Sequence, residues 1–139
     1  MTYFQRVFDS KFYREGDEDT KQKVRHIRQN LNRAACRPNP RKISITLDEI
    51  FKVGEKQGWK DPYSGDDLEF VRGGDYGMKT ITGESACNPM SCSIDRIDPK
   101  KDYVKGNVEL VTAVTNMSKG NLSRKDYIKQ CTKVAQNCK

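Results

Sequence analysis

The most informative part of the chain runs from residue 92 to residue 119 and reads Cys92-Ser-Ile-Asp-Arg-Ile-Asp-Pro-Lys-Lys-Asp-Tyr-Val-Lys-Gly-Asn-Val-Glu-Leu-Val-Thr-Ala-Val-Thr-Asn-Met-Ser-Lys119. Residues 93–97 and 108–111 alternate in polarity, which predicts two short strands. The segment between them contains Pro and Gly and is typical of a loop. Residues 112–119 predict a short helix that Gly120 ends. The predicted order is therefore strand, loop, strand, helix.

Two polar residues of this segment are placed to hold a cation, and a third is placed to brace the loop between the strands. Asp95 lies on the first strand, Asn107 at the exit of the loop and Asn116 on the helix. A hairpin folded onto the helix brings Asp95 and Asn116 together, while Asn107 braces the loop. A carboxylate and an amide carbonyl are hard oxygen ligands, which suit an octahedral divalent ion that also binds phosphate oxygens. Oxygen-only ligation predicts Mg²⁺ or Mn²⁺ rather than Zn²⁺.

The segment resembles the ββα-metal core of the HNH endonuclease superfamily (the His-Me finger), especially its small phage-type members. Those members commonly read Ser-x-Asp-Arg-Ile-Asp, then Lys-x-Tyr-x-x-x-Asn, then a helix with Asn-x-x-Lys. A weaker similarity lies upstream, where residues 46–51 and the Asp61-Pro-Tyr-Ser-Gly65 turn resemble the helix and Cys-Pro-x-Thr-Gly turn that often precede this core.

The resemblance implies an α+β fold in which helices flank the ββα-metal core. We expect one compact domain over residues 1–139, with a basic helical arm at about 20–42, the core at about 92–120 and a C-terminal helix at about 123–137. The arm has an apolar stripe of Val24, Ile27 and Leu31, which is typical of a helix packed on a core.

Two further helices are predicted from their capping signals. Thr46 and Glu49 form a capping box, and the helix that follows ends near Gly58. Ser123 and Asp126 cap the last helix. The side chains of this last helix that are spaced to face inward are Tyr127, Cys131, Val134 and Ala135.

The resemblance also implies a role for each matching residue. Asp95 and Asn116 match the two metal ligands, and Asn107 matches the central Asn that braces the loop and positions the adjacent catalytic group. Lys119 matches a residue that contacts the phosphate. Arg96 stands where most of the superfamily has the general-base His.

The replacement of that His leaves the identity of the base open. A guanidinium is not deprotonated in proteins, so Arg96 is expected to bind the scissile phosphate and stabilise the transition state instead. The candidate bases are a metal-bound hydroxide, Asp98, and a tyrosine, either Tyr63 or Tyr103. The Asp-Arg variant occurs elsewhere in the superfamily, including a rare-cutting restriction enzyme in which a tyrosine is implicated. We therefore include Tyr63 among the candidate catalytic residues.

The charge distribution predicts a phosphate polymer as the partner. The formal net charge is +7, but residues 21–42 carry eight basic and no acidic side chains, and residues 99–139 carry nine basic and three acidic ones. Such basic segments bind nucleic acid because each neutralised phosphate releases counterions. His26, inside the arm, is expected to be solvated or to face phosphate. The expected DNA-binding residues are Arg25, Arg28, Arg33, Arg37, Arg41, Lys100, Lys101, Lys105, Arg124 and Lys125.

The five cysteines include no Cys-x-x-Cys pair, so free thiols are the preferred interpretation. Cys131 then acts as a small core hydrophobe. A structural Zn²⁺ site remains a second interpretation, since related nucleases sometimes use one and Asp61 stands where many have a zinc-binding Cys. No apolar run is long enough for a membrane span, and no secretory signal is recognisable at the N-terminus. We therefore expect a cytoplasmic protein, here a phage protein in the host cytoplasm.

The expected function is a metal-dependent endonuclease that hydrolyses phosphodiester bonds and cuts or nicks double-stranded DNA. A catalytically inactive nucleic-acid-binding module on the same fold is the alternative, motivated by the missing His. A third interpretation is a small phage protein that docks on a host enzyme through the acidic middle of the chain.

Overall fold

The structure, a computed structural model, describes residues 3–71 and 88–139. The described residues form an α+β fold with two strands and five α-helices. The strands β1 and β2 form one antiparallel sheet. The bounds of the elements are α1 Lys11–Glu15, α2 Glu18–Ala35, α3 Leu47–Gln57, β1 Cys92–Arg96, β2 Val108–Thr112, α4 Ala113–Lys119 and α5 Arg124–Asn137, with a short 3-10 turn at Val7–Asp9.

The order predicted for residues 92–119 is confirmed. In the hairpin Asp95 pairs with Glu109, which places both side chains on the same face of the sheet. The helix α4 follows β2 without a linker, because Thr112 ends the strand and also caps the helix by accepting a hydrogen bond from the Thr115 backbone. The helix α4 therefore folds directly back onto the face that carries Asp95.

The other face of the hairpin packs on α2 and α3. The apolar stripe predicted for α2 is confirmed, since Ile27 and Leu31 are buried together with Ile50 of α3, Ile94 of β1 and Leu110 of β2. The capping box that begins α3 is present, and Gly58 ends this helix with a φ of 65°, a left-handed conformation that glycine adopts readily.

The expectation that His26 is solvated or faces phosphate is wrong. The side chain is 4% exposed, and its Nε2 lies 2.8 Å from the carbonyl oxygen of Cys92. Asn30 donates to the same oxygen at 2.7 Å. The physical reason is that buried carbonyls of a two-stranded sheet need donors from elsewhere, and polar side chains of α2 supply them.

The inward face predicted for the last helix is also wrong. No residue of α5 is buried, and Cys131, Val134 and Ala135 are exposed. Only the first turn of α5 contacts the rest of the fold in the part of the chain that the structure describes. There Tyr127 shares a hydrogen bond of 2.7 Å with Ser118, and its ring lies 5.5 Å from that of Tyr63. The spacing predicted an amphipathic face, but no described surface is packed against it.

Two other features complete the fold. Outside the sheet, Ile43 forms a parallel bridge with Tyr103. No helix among residues 3–71 and 88–139 is both long and apolar enough to cross a membrane. Cys87 lies outside the described residues.

Candidate active site

Asp95 is the buried acid at the centre of the candidate site. It is 5% exposed, and the ammonium of Lys119 lies 3.0 Å from its Oδ2. The orientation of this contact gives no hydrogen bond to Oδ2, while the 3.4 Å contact to Oδ1 does meet the geometry of one. Asp95 Oδ2 is therefore a buried carboxylate oxygen that accepts no hydrogen bond from the described residues.

Asn116 presents a second oxygen on the same side of the hairpin. Its amide Nδ2 donates to the hydroxyl of Ser93 at 2.9 Å. Ser93 and Asp95 are two residues apart on β1, so their side chains project from the same face. The carbonyl oxygen of Asn116 accepts no hydrogen bond within the described residues. The two oxygens are thus of the kind that a hard divalent cation prefers, and the residues present fit the Mg²⁺ or Mn²⁺ that the resemblance implies.

Asp95 and Asn116 both line a cleft of about 400 Å³ along β1, between α2 and α4. On one side, Arg33 of α2 and Arg37, just after the end of α2, belong to the predicted basic arm, and Asp95 of β1 lies between the two helices. The polar and charged side chains that line the cleft include Asn30, Arg33, Arg37, Asp95, Arg96 and Asn116. Positive charge therefore surrounds a buried carboxylate, which is the arrangement expected where a phosphate group is bound next to a cation.

Asn107 braces the loop between the strands, as predicted from its position. Its Oδ1 accepts from the backbone of Asp98 at 2.9 Å, and its Nδ2 donates to the carbonyls of Asp98 and Asp102 at 3.2 and 3.0 Å. The side chain is 7% exposed. One amide thus fixes both sides of the loop that follows Arg96.

That loop in turn holds Arg96. The guanidinium donates to the carbonyls of Pro99 and Lys101 at 2.5 and 3.1 Å and lies 5.4 Å from the centre of the Tyr103 ring. These contacts fix the group at the edge of the cleft. The Arg96 guanidinium can therefore bind an anion there, but it cannot accept a proton.

Glu109 is the site residue that the sequence reasoning missed. It is 5% exposed and lies directly opposite Asp95 on β2. Its carboxylate accepts a hydrogen bond from the hydroxyl of Tyr63, and its Oε2 lies 3.9 Å from the guanidinium of Arg124. Burial raises the pKa of Glu109, the Tyr63 hydroxyl opposes this rise, and nearby Asp95 adds to it. The signal in the sequence is one acid inside an otherwise apolar strand.

The positions of the candidate bases differ in their suitability. Burial, reinforced by the hydrogen bond to Glu109, raises the pKa of Tyr63, so its phenolate form is disfavoured. Tyr103 is buried in the hydrophobic core. The Oδ1 of Asp98 accepts the backbone N–H of Lys100 at 3.0 Å and shapes the loop. Tyr63 and Tyr103 are therefore poorly placed to accept a proton, while Asp98 is partly exposed and its Oδ2 accepts no hydrogen bond from the described residues.

Lys119 differs from its predicted place. It was expected to contact phosphate, but its side chain is fully buried, and the ammonium also donates to the Arg96 carbonyl at 3.4 Å. The physical reason is that the burial of Asp95 and Glu109 side by side requires a compensating cation. A phosphate contact by Lys119 would require it to leave Asp95.

Asp61 ties the upstream turn to this site. One oxygen accepts the backbone N–H groups of Tyr63 and Ser64 at 2.7 and 3.1 Å, and the other accepts the N–H and the hydroxyl of Thr112 at 2.8 and 3.1 Å. Burial opposes ionisation, but these hydrogen bonds prevail and lower the pKa of Asp61. This carboxylate thus joins the turn to the junction of β2 and α4 through hydrogen bonds.

The predicted DNA-binding residues fall into separate places. Arg33 and Arg37 line the cleft. Arg25 pairs with Glu18, and Arg28 donates to the Gln5 carbonyl at 2.8 Å, on a different side of α2. The remaining residues lie outside the cleft lining: Arg41, which donates to the Lys100 carbonyl; Lys100, Lys101 and Lys105 on the loop; and Arg124 and Lys125 on α5.

The cysteines give no support to a zinc site among the described residues. Cys36, Cys131 and Cys138 are exposed and Cys92 is buried. Within residues 3–71 and 88–139, no three His, Cys, Asp or Glu side chains are grouped to hold a metal. The core role expected for Cys131 is wrong, because its helix projects away from the core.

Comparison of the chain with protein-family models, curated proteins and solved structures gives no match. The functional interpretation therefore depends on the geometry of the site and on the motif.

Proposed function

We propose that the chain is a metal-dependent endonuclease of the HNH type that hydrolyses phosphodiester bonds in double-stranded DNA. The observation that carries the proposal is the buried Asp95 Oδ2, which accepts no hydrogen bond from the described residues and lies in a cleft with Arg33, Arg37 and Arg96. The Lys119 ammonium, 3.0 Å away, balances the charge of this carboxylate, but Oδ2 accepts no hydrogen bond from the described residues and so keeps a lone pair for a cation. Asp95 and Asn116 would hold Mg²⁺ or Mn²⁺ in a ββα-metal core.

The cation and the side chains have separate tasks in this proposal. Mg²⁺ or Mn²⁺ bound there supplies Lewis-acid polarisation of the phosphate and activation of water. Arg96, fixed by its loop, binds a non-bridging phosphate oxygen and stabilises the charge that develops in the transition state. Arg33 and Arg37 bind neighbouring phosphates and position the strand. Asn107 keeps the loop, and therefore Arg96, in place.

Cleavage of supercoiled plasmid tests this function. The wild type is incubated with Mg²⁺, Mn²⁺ or EDTA beside Asp95→Asn and the matched control Asp66→Asn, which changes an exposed acid. We expect nicked or linear products for the wild type and the control only when a divalent cation is present, and none for Asp95→Asn. The proposal fails if the wild type cuts in no divalent metal, or if Asp95→Asn cuts as fast as the wild type.

One observation favours a second candidate, a nucleic-acid-binding module without catalysis. The ammonium of Lys119 already neutralises Asp95, and an arginine stands in place of the usual base. This candidate predicts salt-dependent DNA binding by the wild type, no cleavage with any divalent cation, and nearly the same affinity for Asp95→Asn.

A further inference from the structure

The helix α5 is the part of the described structure with the least intramolecular support. Its residues from Ile128 onward are all exposed. Within the described residues it is attached only through its first turn, where Ser123 caps the backbone of Asp126 and Tyr127 contacts Tyr63 and Ser118. A helix of 14 residues without tertiary packing is marginally stable in water. The helix therefore needs contacts with a partner outside the described residues to be stably formed.

The charges of α5 select the kind of partner. Lys125, Lys129 and Lys133 are spaced at i, i+4 and i+8, which places them on one stripe about 12 Å long. Asp126 is the only acid of the helix; it lies about 100° around the axis from Lys125 but about 60° from Lys129, so it flanks the stripe at its first turn. Because B-DNA carries one charge per about 1.7 Å of its axis, such a stripe runs beside about seven phosphate charges. The stripe is complementary to a duplex backbone.

The attachment of α5 also places the first turn of the helix beside the site. The guanidinium of Arg124, in the first turn, lies 5.2 Å from the centre of the Tyr63 ring and 3.9 Å from Glu109, the cross-strand neighbour of Asp95. The lysines therefore extend away from the acidic centre along the axis of the helix. A duplex bound at the cleft and along α5 would have neutralised contacts on both sides of the reacting phosphate.

We propose that α5 is a DNA-docking helix, whose Lys125, Lys129 and Lys133 lie along the phosphate backbone of the duplex that enters the cleft. This inference rests on the proposed function, since it assumes that the cleft receives DNA. A second copy of the chain is the competing occupant, because Ile128 and Val134 are about half exposed on another side of the helix. The even spacing of three lysines, with the single acid Asp126 beside them, favours DNA.

The test compares two double variants of equal charge change. Lys129→Ala/Lys133→Ala removes part of the stripe, and Lys52→Ala/Lys56→Ala removes an equally spaced exposed pair from α3. Both are made in an Asp95→Asn background, and binding to a 30-base-pair duplex in EDTA is measured by fluorescence anisotropy over a series of salt concentrations. Circular dichroism of the free variants checks that each one folds.

The slope of the logarithm of the binding constant against the logarithm of salt concentration is the decisive quantity. We expect it to become shallower by about 1.8 for the α5 variant, or about 0.9 for each phosphate that is no longer neutralised, and to stay unchanged for the α3 variant. Equal slopes for the two variants overturn the inference. The inference is also overturned if the parent protein forms a concentration-dependent dimer, the α5 variant does not, and the salt slope of the α5 variant is unchanged.

Plasmid cleavage by the wild type separates this inference from the function on which it rests. If the wild type cleaves plasmid but the two variants have equal salt slopes, the endonuclease function is supported and the DNA-docking role of α5 is refuted. If the α5 variant has a shallower salt slope but the wild type does not cleave plasmid, α5 docks DNA in a protein that binds DNA without cutting it.

Discussion

Substitution of Lys119 by Met is expected to destabilise the protein strongly, although the two side chains have similar volumes. The ammonium is fully buried and lies 3.0 Å from Asp95, with Glu109 directly opposite on the neighbouring strand. Its removal leaves a buried carboxylate pair with only the half-exposed Arg124 nearby among the described cations, 3.9 Å from Glu109. Breaking a buried ion pair from one side costs about 3–5 kcal/mol, most of it the desolvation of the remaining charge.

The assay is urea unfolding at neutral pH in EDTA, followed by circular dichroism. We expect Lys119→Met to lose about 3–5 kcal/mol and the double variant Asp95→Asn/Lys119→Met to recover most of that loss, because the pair is then removed as a unit. The exposed control Lys52→Met is expected to change the free energy of unfolding by less than about 0.5 kcal/mol.

A divalent cation adds a second arm to this experiment. Since the ammonium and the cation carry like charges near one carboxylate, Mg²⁺ is expected to stabilise Lys119→Met more than the wild type. A free energy of unfolding for Lys119→Met within about 1 kcal/mol of the wild type would refute the assignment of Lys119 as the buried counter-ion of Asp95.

Three further substitutions test other parts of the fold. Asp61→Asn is expected to lower the free energy of unfolding by about 1.5–3 kcal/mol at neutral pH. Because the pKa of Asp61 is lowered in the folded state, this difference between variant and wild type is full above about pH 4 and shrinks as the pH falls through the folded pKa. Urea midpoints of both proteins, measured from about pH 6 to about pH 2.5, would show this change. Asn107→Ala is expected to lose about 1–3 kcal/mol and to slow plasmid cleavage with little change in DNA affinity, since it releases the loop that holds Arg96; unchanged cleavage would contradict this. His26→Ala is expected to lower the free energy of unfolding by about 1–3 kcal/mol, because the Cys92 carbonyl loses a donor. The salt dependence of DNA binding is expected to stay the same; a shallower dependence would indicate that His26 contacts phosphate.

The core segment was predictable from sequence because its signals are local. Alternation over five residues specifies each strand, and Thr112 ends one element and caps the next within a single residue. The same short range explains why Asp95 and Asn116 were placed on one side: the hairpin and α4 are contiguous, so few arrangements of the chain exist.

The rest of the site depends on contacts between distant segments. The rotation of α2 against β1 determines that Arg33, and not Arg25 or Arg28, lines the cleft, and this rotation depends on packing at Ile27 and Leu31 rather than on charge. Glu109 was missed because its importance depends on cross-strand pairing with Asp95, which the linear pattern does not give.

The errors at His26 and α5 have a common cause. Sequence pattern shows which side chains share a face of a helix, but not what lies against that face. At His26 a sheet carbonyl is there, so a polar residue is buried. No described element packs against the face of α5 that carries Cys131, so the apolar stripe on that face is exposed.

The most direct test of the proposed cation site is a crystal of the wild type soaked in Mn²⁺ and measured at the manganese absorption edge. We predict an anomalous peak in the cleft, bonded to one carboxylate oxygen of Asp95 and to the amide oxygen of Asn116, and no such peak in Asp95→Asn. A fully soaked wild-type crystal with no peak at these two oxygens would contradict the assignment.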